Sequence, residues 1–452
     1  MPDLRGARVV VVGLGASGAA AARLLVERGA HVLVSESRGR ESFFSGALAT
    51  EMEALGVTIE AGGHREATMI GADLLVLSPG VPPEIVLVRA ALAAGVEVIG
   101  EFELACRHIS TPVAAVTGTN GKTTTTRLLA HLLESAGRKV FCGGNVGTPL
   151  SVYANGTQDA DVVVAEVSSF QLDTCVTFKP RVAVLLNVAP DHLDRYPGME
   201  AYARSKGRVF LNQDEGDVAV INEDDPWTPA LGASLRARRL GFSSSHALDG
   251  AGAWLEEGKN IWLGGGAAAV SFPVAGFPLQ GRHNLENCMA ALLAAVSLGA
   301  TPENLQRGLE GFAPLAHRCQ LVRVLGGRKF YDDSKGTNVH AVVSALRAVG
   351  PPVVLIAGGR DKGGGYADLA QALSGVVVAV VTLGEAAPLI ENELAGLVPL
   401  VRCASMEAAV AEAARLCPSP GSVLLSPACS SFDMYRGYAE RGEHFRRVVE
   451  AL

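Results

Sequence analysis

Gly118-Thr119-Asn120-Gly121-Lys122-Thr123 can hold the phosphates of a nucleotide. The run follows the apolar stretch Val113–Val116 and leads into an Ala/Leu-rich one, so it reads as a loop from a strand into a helix. There, backbone amides and the helix N-terminus face phosphate oxygens. Lys122 would neutralise them, and Thr123, followed by Thr124, would offer a hydroxyl to Mg²⁺. The general ATPase spacing would put glycine at the position of Val116, so this is a shortened loop. Mg²⁺ held by one hydroxyl needs more oxygen ligands. Glu166 ends one apolar run, and Asn187, Asp191, His192 and Asp194 follow another. A second fingerprint precedes all of these. Gly13, Gly15 and Gly18 flank Ala16 and Ser17 in a strand–turn–helix context, and Glu36 stands 18 residues after Gly18, where an acid can bind a ribose hydroxyl. The turn Ser78–Pro83, with Gly80, can shape the same crevice. One chain with both motifs needs two nucleotides, or one motif has no ligand.

These residues need strands that end where the chemistry begins. Val9–Val12, Val32–Val34, Leu74–Leu77, Val113–Val116, Val162–Ala165, Val182–Leu186, Val353–Ile356, Val376–Thr382 and Ser422–Leu425 read as buried parallel strands, with helices between them. The fold class is therefore α/β, with functional groups at the carboxyl ends of the strands. Three domains are expected: a Rossmann-like domain at 1–101, a central phosphate-loop ATPase domain at 102–314 with a mainly parallel sheet, and a Rossmann-like domain at 315–452. A Gly/Ser-rich stretch from Gly241 to Val270 reads as short antiparallel strands and loops.

Composition excludes several classes. Net charge is −7 and the basic residues are scattered, so no nucleic-acid partner is expected. No apolar run suits a bilayer span and the start lacks a secretory leader, so a cytoplasmic protein without membrane insertion is expected. Eight cysteines without a C-x-x-C pair indicate reduced, mostly buried thiols.

GTNGKTT, EVSSFQL, NVAPDHLDRY and Lys206, 14 residues after His192, stand in the order found in the Mur ligase family, and GRHNLENCMAA, LAHRCQ and YDDSKGTN continue it. The chain resembles that family over its whole length. GLGASG, DRYP and SPACSSFDMYRGYAERG are similar to the members that add D-glutamate. The resemblance implies an ATP-dependent, ADP-forming ligase acting on UDP-N-acetylmuramoyl-L-alanine and D-glutamate, expected to work as a monomer. The first fingerprint would then hold the UDP handle through Gly15, Ala16, Ser17, Glu36, Ser37, Arg38, Ser78 and Gly80, and the second would hold ATP. By resemblance, Thr123 and Glu166 hold one Mg²⁺, while His192 and a carbamylated Lys206 hold a second. Taken alone, Lys206 reads as an exposed helix lysine. Asn284, Asn287, Arg318 and Asp333 match ATP contacts, Lys335 approaches the acyl phosphate, and Asn145 and His192 match substrate contacts. Thr337, Lys362, Ser431, Phe432 and Tyr438 match the D-glutamate pocket. The third domain is expected to close on ATP. Competing readings are another Mur-type or folylpolyglutamate-type ligase, a nucleotide-binding regulator without chemistry and, with no catalytic constellation of its own, an NAD-dependent oxidoreductase.

Overall fold

The computed structural model describes residues 4–39, 47–264, 269–275, 277, 281–313, 316–363 and 365–452. It contains three sheets. The first comprises β1 (Arg8–Val12), β2 (His31–Glu36), β3 (Thr58–Ala61), β4 (Leu74–Leu77) and β5 (Glu97–Gly100), in the order β3-β2-β1-β4-β5. All its pairings are parallel. Strand order reverses between β1 and β4, so the loops after these strands flank the crevice where such sheets bind ligands.

The second sheet comprises β6 (Val113–Thr117), β7 (Val140–Gly144), β8 (Val162–Glu166), β9 (Val182–Leu185), β10 (Val218–Asn222), β11 (Arg238–Ser243), β12 (Gly252–Glu256), β13 (Asn260–Gly264) and β14 (Val270–Pro273). Its order is β14-β13-β12-β11-β10-β9-β6-β8-β7. Strands β6 and β8–β10 are buried along their whole length, which explains their unbroken apolar runs. The Gly/Ser-rich stretch forms an antiparallel hairpin of β12 and β13, as expected, but β11 joins β10 and β12 in parallel. Two exposed arginines open β11 and obscure it as a core strand in the sequence. Residues 265–268 of the Gly/Ser-rich stretch lie outside the described residues.

The third sheet comprises β15 (Gln320–Leu325), β16 (Arg328–Asp332), β17 (Val353–Gly358), β18 (Val377–Leu383), β19 (Leu400–Arg402) and β20 (Gly421–Leu425). Its order is β15-β16-β20-β17-β18-β19, and β15–β16 is antiparallel while the other pairs are parallel. One apolar layer under this sheet gathers Val342, Leu346, Leu369 and Ile390, and the opposite layer gathers Met406, Val410, Phe445 and Val449.

The chain divides into two compact units: Met1–Leu186 with Ala203–Phe272 and Cys288–Leu309, and Asn187–Tyr202 with Pro273–Asn287 and Glu310–Leu452. Within the first unit, helix Glu101–Cys106 fastens the first sheet to the second. Glu101 accepts from Ser151 N at 2.9 Å, and Glu103 accepts from Thr177 N at 2.9 Å and Phe178 N at 3.1 Å. Burial pushes the Glu103 carboxyl up, but the Thr177 and Arg107 hydrogen bonds outweigh it and hold the group low. The sequence limit between 101 and 102 thus falls in the first turn of this helix, and the limit between 314 and 315 lies outside the described residues.

Candidate active site

Backbone conformation shapes the phosphate loop before any side chain acts. Gly118 has a φ of 152° and Gly121 a φ of 83°, both in the region that favours glycine. Gly121 caps helix Lys122–Ser135, whose first-turn amides lack intrahelical acceptors. Lys122 Nζ donates to Gly118 O at 2.9 Å and Thr119 O at 2.8 Å. Lys206 Nζ donates to the same Gly118 O at 2.8 Å. Lys206 is only 1% exposed, which corrects its reading as an exposed helix lysine. Sequence gave no sign of this burial, because the carbonyl that receives Lys206 lies 88 residues away.

Glu166, 2% exposed, ends β8 and is in register with Val116 of β6. Its Oε1 accepts from Asn145 Nδ2 at 2.9 Å, and Asn145 N donates to Glu166 O at 2.8 Å. The other carboxylate oxygen, Oε2, is buried and has no hydrogen-bond partner among the described residues, and the same holds for the hydroxyls of Thr117 and Thr124. Thr123 is 8% exposed. A buried, unpartnered carboxylate oxygen is costly, and oxygen donors are what Mg²⁺ takes, so this part of the loop fits the ion. Among the described residues no group of three or more His, Cys, Asp or Glu forms a metal cage on its own.

In the first sheet, Ser78 Oγ donates to Gly13 O at 2.9 Å, drawing the turns after β1 and β4 together. Gly15 and Gly80 have open space where a side chain would stand, and Ala16 and Ser17 form the first turn of helix Ala16–Glu27. A Cβ at Gly18 would lie 2.0 Å from Gly13 O, so the last glycine of the motif permits close strand–helix packing. Glu36, an acid at the position where one can bind a ribose hydroxyl, accepts hydrogen bonds within the protein at both its oxygens. Leu14 N donates to Oε2 at 2.8 Å, and Arg38 donates to Oε1 through Nε and to Oε2 through Nη2, each at 3.0 Å. Ser37 Oγ donates to Oε1 at 3.3 Å. Burial would raise the Glu36 pKa, yet the Arg38 and Leu14 hydrogen bonds hold it at about 2. The group that faces outward is the Arg38 side chain, 54% exposed.

The second unit carries His192, Asn284, Asn287 and the residues of the third sheet. Asp191 is 6% exposed and accepts from Lys362 Nζ at 3.1 Å, Asn338 Nδ2 at 3.1 Å and His192 N at 3.0 Å. Burial would raise its pKa, but the charges of Lys362 and His192 prevail and hold the carboxyl low. Lys362 Nζ also donates to Thr337 Oγ1 at 3.3 Å. Asp191, Thr337, Asn338 and Lys362 line a cavity of ≈ 150 Å³. His192 has a φ of 56°, a left-handed conformation uncommon outside glycine. Asn287 Nδ2 donates to Asn284 Oδ1 at 3.3 Å.

Lys335 Nζ donates to Tyr438 Oη at 3.3 Å and lies 4.6 Å from the centre of that ring. Ser431 is 2% exposed, whereas neighbouring Phe432 is 64% exposed. Arg318 precedes Cys319, whose amide donates to Asp333 Oδ1 at 3.1 Å, while Ser426 Oγ donates to Asp333 Oδ2 at 2.7 Å.

Sequence reasoning passed over Arg441. It is 3% exposed on the buried face of helix Tyr438–Glu450, in line with Phe445 and Val449. Its guanidinium donates to Ser334 O at 2.9 Å, Cys429 O at 3.2 Å, and Gly358 O and Ser430 O at 3.4 Å. One side chain therefore ties the turns after β16, β17 and β20, from which Lys335, Lys362 and Ser431 emerge. Burial pushes its pKa down to about 10. The available signal was a charged residue at i, i+4, i+8 spacing with two core positions.

Burial pushes the Asp333 carboxyl up to about 7, against the Ser426 hydrogen bond and the Arg318 charge. The folded chain therefore keeps a proton that the unfolded chain loses between 3.8 and about 7. Through this group, stability falls as pH rises across that window. Asp333→Asn should flatten that part of the slope of melting temperature against pH. Parallel slopes in parent and variant would contradict the assignment.

The Mur ligase MurD-like N-terminal domain matches residues 7–100, the Mur ligase middle domain 116–295, and the Mur ligase glutamate ligase domain 317–429. The UDP-N-acetylmuramoylalanine--D-glutamate ligase of Syntrophotalea carbinolica is 45% identical over 452 residues, covering 100% of this chain and 99% of that one. The enzyme of the same name from Desulfatibacillum aliphaticivorans is 45% identical over 451 residues, with 100% and 99% covered. Among solved structures, a pseudomurein peptide ligase type C from Methanothermus fervidus has a TM-score of 0.63 at 18% identity, covering 99% of this chain and 100% of that one. MurF from Acinetobacter baumannii has a TM-score of 0.63 at 16% identity, with 97% and 93% covered. These two likenesses concern the fold alone.

Proposed function

The chain belongs to the Mur ligase family, and from that premise we infer that it joins D-glutamate to UDP-N-acetylmuramoyl-L-alanine, forming ADP and phosphate, as a step of peptidoglycan precursor synthesis. The observation that carries this reading is full-length identity of 45% to ligases named for that reaction. We assign residues 1–101 to the UDP handle, 102–314 to ATP, and 315–452 to the incoming amino acid. The protein works in the cytoplasm as a monomer. No helix among the described residues is long and apolar enough to cross a membrane.

Amide formation from a carboxylate in water needs activation. The γ-phosphoryl group of ATP passes to the terminal carboxylate of the L-alanyl group, giving an acyl phosphate and ADP. The D-glutamate amine then attacks the acyl carbon, and the tetrahedral intermediate expels phosphate. Much of the work is positioning and charge neutralisation. Lys122 exchanges its loop carbonyls for phosphate oxygens. Asn284, Asn287, Arg318 and Asp333 hold ATP, and Lys335 approaches the acyl phosphate. Lys362, Thr337 and Ser431 offer a cation and hydroxyls to the two carboxylates of D-glutamate, beside Phe432 and Tyr438. Asn145, fixed on Glu166, orients the muramoyl substrate together with His192. Thr123 and Glu166 would hold one Mg²⁺, and His192 with a carbamylated Lys206 a second. When bound, these ions offset the repulsion between carboxylate and triphosphate.

Phosphate release should require ATP, Mg²⁺, the UDP-sugar and D-glutamate together. An amino-acid panel containing both glutamate enantiomers checks this. Equal turnover with L-glutamate, or none with D-glutamate, would overturn the substrate assignment.

A further inference from the structure

The first sheet carries a histidine that the reaction above does not use. His64 follows β3 in the turn Gly62-Gly63-His64, which is fastened along the end of β2. Gly62 N donates to Arg38 O at 2.9 Å and Gly63 N to Glu36 O at 3.2 Å. The half-buried imidazole reaches back to the same strand, with Nδ1 2.8 Å from Ser35 Oγ. Ser35 is 0% exposed, and Nδ1 is the only partner of its hydroxyl among the described residues. A buried hydroxyl needs an acceptor for its proton. Nδ1 is that acceptor, so the ring N–H sits on Nε2. Nε2 has no partner among the described residues, and a Cβ built on Gly62 or Gly63 would meet nothing within 4 Å. The sheet edge thus holds an oriented donor in open surroundings, next to the segment that carries Arg38.

Resting on the reading that this sheet holds the UDP handle, we propose that His64 recognises the pyrimidine base, with Nε2–H donating to the C4 carbonyl of uracil. In open parallel sheets of this kind, phosphates lie at the helix N-terminus after the first strand and the ribose lies toward the end of the second. In the order β3-β2-β1, β3 lies beyond β2, which places a group at its end toward the base. Uracil offers two ring carbonyls. Cytosine replaces one of them with an amine, which cannot accept from Nε2–H. His64 is then a specificity residue for uridine over cytidine nucleotides.

Calorimetric titration of the full chain with UDP and with CDP tests this. The parent should bind UDP more tightly than CDP. His64→Ala should weaken UDP about five- to tenfold, the range for a lost neutral hydrogen bond, and CDP by less than about twofold. His64→Gln, whose amide also donates, should keep most of the UDP affinity. Three results would overturn the proposal: UDP affinity of His64→Ala within about twofold of the parent, equal losses for both nucleotides (the mark of a phosphate contact or a collapsed turn), or His64→Gln as weak as His64→Ala. A parent that binds no UDP would overturn the UDP reading itself, and this inference with it.

Discussion

Lys122→Ala is expected to keep its fold and lose roughly a hundredfold or more of its ligase activity, the scale of one charge contact removed from a transition state. The loop should survive the change because backbone conformation at Gly118 and Gly121, not the lysine, makes its turn. Helix Lys122–Ser135 is anchored further on by buried Leu128, Leu129, Leu132 and Leu133. The two bonds from Nζ run to carbonyls of a loop whose turn the glycines already set, so their loss should cost little stability. Steady-state phosphate release and a thermal melt measured on the same preparation check both halves. Activity within a few-fold of the parent would mean that Lys122 is not the phosphate lysine. A large drop in melting temperature would mean that it holds the loop together.

Lys206→Ala should remove activity to a similar extent, and Lys206→Arg should not restore it. Lys206 and Lys122 donate to one carbonyl, Gly118 O. Two ammonium groups this close repel, whereas a carbamate at Lys206 would set an anion beside a cation and supply oxygen to a metal. Arginine keeps the positive charge and cannot become the carbamate. Acetate or formate titrated into Lys206→Ala at fixed ionic strength should partly restore turnover by entering the vacated space, while Lys122→Ala, which lacks a cation, should not respond. An intact-mass or crystallographic search for the carbamate provides a readout apart from activity. Full activity of Lys206→Arg, or an unmodified ammonium in an active, Mg²⁺-bound crystal, would sink the role.

The nine apolar runs read as strands all occur as strands, within a residue or two at their ends. Central strands in parallel sheets are buried on both faces, so their sequences are nearly all apolar and stand out. Edge and short strands such as β3, β5 and β19 were not read, because their exposed positions break the run. Arginines at the start of β11 concealed it in the same way.

The sequence alone determined the phosphate loop, the placement of Glu166 at the end of β8 and, through motif order, the family. The loop and the strand end depend on neighbours a few residues away, where a turn needs glycine or a strand must stop, and the family shows in the order of such local motifs along the chain. Tertiary structure decided how the polar side chains are used. It buried Lys206 against Gly118, turned Glu36 inward onto Leu14 and Arg38, and set Arg441 under three strand-end turns. Arg441 reaches Ser334 across 107 residues of sequence and Lys206 reaches Gly118 across 88. A charged residue is written the same way whether it ends in water or among carbonyls. Only the packing of distant segments removes the water, and so only the fold sets its role.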